Sequence, residues 1–148
     1  MADDGGDLHA SVAETLRGAG QRYTKNRRDV IQILEQAERP LTIPEILDGG
    51  DGLAQSSVYR NLAVLEETGV VHRVQSTDEW ARYELAEDLT GHHHHLICSS
   101  CGSVDDFTVP PEMEASLHQV FDRVADRTGF TPEHHRLDLV GVCARCFD

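Results

Sequence analysis

Apolar positions in the first half of the chain recur at helical spacing. Leu8, Val12 and Leu16 share one face of a helix over residues 8–19. Val30, Ile31, Leu34 and Ala37 form a stripe on a second helix over 25–37, with Thr24 as its N-cap and Pro40 beyond its end. Thr42 is placed to cap a short helix over 43–47, with Pro44 in its first turn and Gly49-Gly50 after it. Ser56 or Ser57 opens a further run through Val58, Leu62 and Leu65, closed by Gly69. Short helices joined by tight turns predict a helix-turn-helix. After Gly69 the period drops to about two, over 70–74 and 81–85, around a polar turn at 75–79. A hairpin directly behind a helix-turn-helix predicts a winged helix.

Residues 87–91 are polar and charged, and read as a hinge. Beyond them the pattern predicts strands over 92–98 and 104–108, a helix over 112–128 and a strand over 136–143. The helix carries Met113, Leu117, Val120, Phe121 and Val124 on one stripe, has Pro110-Pro111 at its start and is stopped by Gly129. The expected fold class is α/β (α+β), with a winged helix over 1–86, a hinge over 87–91 and a small α/β unit over 92–148.

The 148 residues carry a net charge of −13, which argues against non-specific polyanion binding by the whole surface. Arg17, Arg22, Lys25, Arg27 and Arg28 nevertheless fall within twelve residues that contain no acid. Composition alone leaves this run open between a solvated face and a local basic patch. No apolar run approaches the ~18 residues of a membrane span, and the acidic N-terminus lacks the apolar core of a secretory signal. A cytoplasmic protein is expected.

Four cysteines occur as Cys98-x-x-Cys101 and Cys143-x-x-Cys146. In a reducing compartment such pairs point to metal or redox chemistry, and two pairs supply the four thiolates of a tetrahedral zinc site. Zinc there would tie the start of the second unit to its end. Most of the nine histidines also lie in this half, including the run His92-His93-His94-His95. Strand alternation puts His92 and His94 on one face and His93 and His95 on the other, so one run serves two metal sites. For His93 and His95, the wing residues His72 and Glu84 are candidate partners, and such a site bridges the domains. For His92 and His94 the candidates are His135, together with His118 or Glu114 one helical turn earlier.

Several segments together resemble the ferric uptake regulator family, which includes iron, zinc, manganese, nickel and peroxide sensors. They are Arg22-x-Thr24-x-x-Arg27, Ser57-Val58-Tyr59-Arg60-x-Leu62, Tyr83-Glu84-Leu85, the histidine run continuing through Leu96-Ile97 into Cys98-x-x-Cys101-Gly102, and Gly141-x-Cys143-x-x-Cys146. The resemblance runs from about Leu8 to Cys146. It implies a homodimeric, metal-activated repressor that binds double-stranded operator DNA, with Zn2+ held by Cys98, Cys101, Cys143 and Cys146. It matches His93, His95 and Glu84 to a sensor site at the hinge, and His92, His94 and His135 to a second site.

The chain departs from the family pattern at several points. Asn26 stands where proline is usual, and Pro40 lies near the position of a histidine common in iron sensors, so His72 is taken as its substitute. The four uninterrupted histidines are closer to zinc sensors, although no cysteine remains for the hinge. Anchoring the long helix on Gly129 makes His118 the helical ligand; anchoring it on the preceding strand offers Glu112 or Glu114 instead. His118 is the preferred assignment. The expected regulatory ion is zinc, with Fe2+, Mn2+ or Ni2+ as alternatives. Ser57, Tyr59 and Arg60 are expected on the recognition helix, and Arg22, Lys25 and Arg27 on phosphates. The hinge site is expected to control DNA binding, and the second site to have less leverage. A zinc hydrolase is disfavoured, since neither HExxH nor a nucleophile–base pair is present.

Overall fold

The computed structural model describes residues 4–147. Helices α1 (Asp4–Gly18), α2 (Lys25–Ala37), α3 (Ile43–Asp48) and α4 (Gln55–Glu67) turn their apolar stripes inward. Val12, Leu16, Val30, Ile31, Ile46, Val58, Leu62 and Leu65 meet in one buried core. Local chemistry sets the helix starts. The Thr24 hydroxyl accepts from the Arg27 N–H, and Thr42 forms a reciprocal capping box with Glu45. Neither Ser56 nor Ser57 caps α4, which begins at Gln55 behind Ala54 without a side-chain cap.

The wing is a hairpin of β1 (Val71–Val74) and β2 (Arg82–Leu85), with His72 opposite Glu84. Leu41 pairs with Tyr83 on the free edge of β2, joining the wing to the helices. All of β2 is buried, because its two faces meet the helical core and the second half of the chain. The polar stretch after it contains a short helix, α5 (Glu87–Thr90), where the sequence pattern suggested only a hinge.

Beyond α5 a three-stranded sheet runs in the order β4–β3–β5, from β3 (His94–Cys98), β4 (Val104–Phe107) and β5 (Asp138–Gly141). The antiparallel β3–β4 pair sets His95 opposite Asp106; the parallel β3–β5 pair sets Cys98 beside Gly141. Helix α6 (Pro111–Thr128) forms the crossover and ends on Gly129 in the left-handed conformation. Its apolar stripe finds no core: none of its residues is buried, and Met113, Val120, Val124, Leu139 and Val140 are between 42 % and 62 % exposed.

The wing turn rests on the first cysteine knuckle. Ser76 Oγ donates to the Gly102 carbonyl and Thr77 Oγ1 to the Cys98 carbonyl, both at 2.6 Å. Val74 packs with Ile97 and Val104 across the same junction. Gly102 has φ +77°, and a Cβ there would strike the Asp78 carboxylate, which is held by Arg82.

Candidate functional site

The parallel pairing of β3 with β5 brings the two CxxC turns to the same end of neighbouring strands. Ser99 N–H donates to the Gly141 carbonyl, so the knuckle after β3 is bonded to the end of β5. The four Sγ atoms lie within 4.8 Å of one another, and Cys101 Sγ is 3.8 Å from Cys143 Sγ. Thiolates held at about 2.3 Å by one zinc ion stand about 3.8 Å apart along a tetrahedron edge, so this spacing fits the ion. N–H groups of Ser100, Cys101 and Cys143 point at Cys98 Sγ at 3.4 Å. The backbone bonds from Cys101 and Cys143 lower the Cys98 thiol to about 6, which prepares it as a thiolate.

A second gathering of donors lies at the junction of the two halves, in a cleft of about 640 Å3. Glu84 on β2 sets one carboxylate oxygen 2.9 Å from His93 Nε2 and the other 2.8 Å from His95 Nε2. Asp106, opposite His95 on β4, completes a group of four whose donor atoms all lie within 4.8 Å. Burial opposes ionisation of Glu84, but bonds with His93 and His95 outweigh it and hold the carboxyl at about 2. The Glu84 hydrogen bond lifts His93 to about 9. Asp106 is raised to about 6 by burial and by the charge of Glu84, and its Oδ1 is buried with no hydrogen-bond partner. A cation among these atoms relieves both the carboxylate repulsion and the orphaned oxygen, so the donor set fits a divalent metal.

His72 is not part of this group. It lies opposite Glu84 and lines the cleft, but Glu84 commits both oxygens to His93 and His95, and His72 stays exposed at the rim. Asp106 takes the place expected for it. The missed signal is alternation: Asp106 shares the face of Val104, so an acid stands where an apolar residue is expected.

The opposite face of the histidine run makes a third cluster, of His92, His94, Glu114 and His135. Glu114 Oε1 is 2.8 Å from both His92 Nε2 and His135 Nε2, and Glu114 Oε2 is 2.9 Å from His94 Nε2. The hydrogen bond with His94 is the largest influence holding the Glu114 carboxyl at about 2. The structure brings Glu114 into this cluster rather than His118, the expected helical ligand. Helix α6 takes its phase from Pro111, so its first turn faces the histidines. His118 lies one turn further on, exposed, with its ring 5.3 Å from that of His135; Glu112 is exposed and outside the cluster. Three imidazoles and one carboxylate are a zinc-compatible set.

On the far side of the winged helix, α4 exposes Gln55, Ser56, Tyr59 and Arg60 along one shallow groove. No side chain caps the start of α4 at Ala54. Arg22 is exposed nearby, and Lys25 is exposed although paired with Asp29 at 2.8 Å. Arg27 Nε donates to Asn61, and the Ser57 hydroxyl accepts from both Asn26 and Asn61. Arg27 and Ser57 therefore hold α2 against α4, and Tyr59 and Arg60 project outward.

Comparison with known proteins fits this geometry. Residues 18–140 match the model of the ferric uptake regulator family. The chain is 33% identical over 137 residues to the peroxide operon regulator of Bacillus subtilis, covering 90% of this chain and 89% of that protein. Among solved structures, a zinc-bound manganese uptake regulator is similar at TM-score 0.65 and 32% identity, over 89% of this chain and 98% of that one. The Helicobacter pylori ferric uptake regulator shares the fold at TM-score 0.73 and 24% identity, over 95% of this chain and 91% of that one. A winged helix, paired cysteine knuckles and histidine–carboxylate clusters thus stand on a chain that belongs to the ferric uptake regulator family of metal-responsive transcriptional regulators.

Proposed function

We propose that this protein is a zinc-responsive transcriptional repressor that binds operator DNA as a homodimer, and that metal at the hinge cluster is its signal. Members of the family are transcriptional regulators, not enzymes. The observation that carries the reading is the origin of the hinge donors. Glu84 comes from the wing, whereas His93, His95 and Asp106 come from the second sheet. One ion bound to all four ties the winged helix (1–86) to the C-terminal unit (92–148) across the connector at 87–91. Its binding energy then favours one domain orientation, which is a population shift. Zinc is preferred because the donors number four and include two imidazoles, matching its usual coordination.

The exposed apolar faces of α6 and β5 support the homodimer, since a second copy covers them. Dimerisation sets two α4 helices for successive major grooves about 34 Å apart. Tyr59 is suited to a thymine methyl, Arg60 to guanine or phosphate, and Arg22 and Lys25 to phosphates. Cys98, Cys101, Cys143 and Cys146 hold structural zinc in this reading, and His92, His94, Glu114 and His135 a second ion.

A second reading is an iron- or manganese-dependent peroxide regulator. It is favoured by two carboxylates at the hinge, which suit harder ions, and by the peroxide operon regulator among the relatives. Adding Zn2+, Fe2+, Mn2+ and Ni2+ separately to chelated protein, at buffered free concentrations, separates the two. The probe is duplex DNA selected from a random pool by the metal-loaded protein. Zinc restoring binding at the lowest free concentration relative to its cellular level supports the first reading. Restoration by iron or manganese alone, abolished by peroxide, supports the second.

A further inference from the structure

We propose that Glu87 is a positioning residue that ties the His92–His94–Glu114–His135 cluster to the winged helix, giving that second cluster its own grip on the hinge. The inference rests on the reading above that both histidine clusters hold metal. Imidazole ligands work through two nitrogens: one faces the ion, and the other is held by an outer partner that fixes the ring and its basicity. All four histidines of the run turn Nε2 toward their carboxylate ligand. Their Nδ1 atoms differ. His93 Nδ1 is 3.1 Å from the Gly91 carbonyl, His95 Nδ1 is 3.5 Å from Asp138, and His94 Nδ1 is buried without a partner. His92 Nδ1 is 3.0 Å from Glu87 Oε1.

Glu87 moves with the winged helix. It opens α5, immediately after β2, and the preceding Ala86 N–H donates to the Val70 carbonyl. Leu89, on the same helix, packs against the winged-helix core. His94, Glu114 and His135 belong to the other half. The second cluster therefore has three ligands on the C-terminal unit and a fourth, His92, whose outer nitrogen is held from across the hinge. Metal that fixes the His92 ring also fixes Glu87, and Glu84 of the hinge cluster lies three residues before it. Filling one centre favours the connector geometry that the other needs, so the two sites bind metal cooperatively.

The test uses full-length protein with zinc in its cysteine site and Co2+ as the optical probe. In a His93→Ala background, which leaves only the second cluster, Glu87→Ala should weaken Co2+ binding by about 10–100-fold. Glu87→Gln, which keeps an acceptor for the ring N–H, should recover part of that loss. With His93 intact, wild-type hinge affinity should rise about 5–150-fold when the second cluster is filled, and Glu87→Ala should remove that rise. Wild-type cobalt binding that Glu87→Ala leaves unaltered, in strength and in coupling, overturns this inference alone. A wild-type protein that takes up no cobalt at either cluster overturns the metal reading and this inference with it.

Discussion

The hinge donors are tuned against one another, and this gives their metal affinity a pH dependence of known sign. His93 is raised from 6.5 to about 9, so its charged form stabilises the metal-free fold fully below pH 6.5, and that contribution is lost as pH rises through 9. Glu84 is lowered from 4.5 to about 2, so its contribution is present above pH 4.5 and lost as pH falls toward 2. Asp106, raised from 3.8 to about 6, acts in the opposite sense to Glu84: its contribution is present below 3.8 and lost as pH rises through 6. Metal requires neutral His93. Affinity at the hinge should therefore climb about tenfold per pH unit from 6.5 toward 9 and then level off. Although burial pushes it down, His95 is also held above its ordinary value by Glu84, so isothermal titration in buffers of different ionisation enthalpy should find at least about one proton released per ion at pH 7.5. A flat profile would show that His93 gives up no proton to metal. At the second cluster, Glu114→Ala should cost about 10–100-fold in metal affinity and His118→Ala little, measured by competition with a chromophoric chelator. Equal losses would return His118 to the ligand set. The histidine pairing was readable from alternation alone. For Asp106 alternation marks only an acid on the Val104 face, and its place beside His95 depends on the β3–β4 register; Glu114 stayed one of several alternatives because the phase of α6 is set by where the preceding loop ends.

Among the elements, the helices and strands were mostly readable, since stripe spacing, Thr caps and Pro–Gly punctuation all act locally. Thr24 and Thr42 start α2 and α3 where expected. The failures are at α4, whose serines hold neighbouring helices or face solvent rather than capping, and at α5, a single turn too short to show a period. The C-terminal sheet has few buried residues of its own: among its strands only His94, Ile97, Cys98 and Val104 are buried. On the proposed reading, zinc held by the thiolate cluster that joins β3 to β5 supplies much of its stability, since metal binding counts as folding energy, about 10–16 kcal/mol in zinc-finger peptides. Cys143→Ser should unfold the C-terminal half and release zinc, followed by thermal circular dichroism and metal analysis. Because the wing turn bonds to the Cys98 and Gly102 carbonyls, the variant should also loosen the wing. A Cys143→Ser protein that melts at the wild-type temperature without zinc would remove the structural role.

In the whole molecule, a net charge of −13 coexists with exposed Arg22, Lys25, Tyr59 and Arg60, while apolar residues lie exposed on α6 and β5. The stripe of α6 was readable, but its destination was not: a helical period marks a buried face without saying which chain buries it. Val120→Glu combined with Val140→Glu should yield monomers by light scattering while leaving the winged-helix core folded; an unchanged dimer would place the interface elsewhere. On the proposed reading, an ion held by Glu84, His93, His95 and Asp106 sets the winged helices for DNA. The most direct test compares wild-type and His93→Ala protein, both with zinc verified in the cysteine site, for anisotropy binding to selected duplex DNA with and without regulatory metal. Metal should tighten wild-type binding by about 5–150-fold, the range of a coupling of about 1–3 kcal/mol, and leave His93→Ala at the metal-free level. Equal DNA affinity with and without metal, or a His93→Ala protein as responsive as wild type, would contradict it.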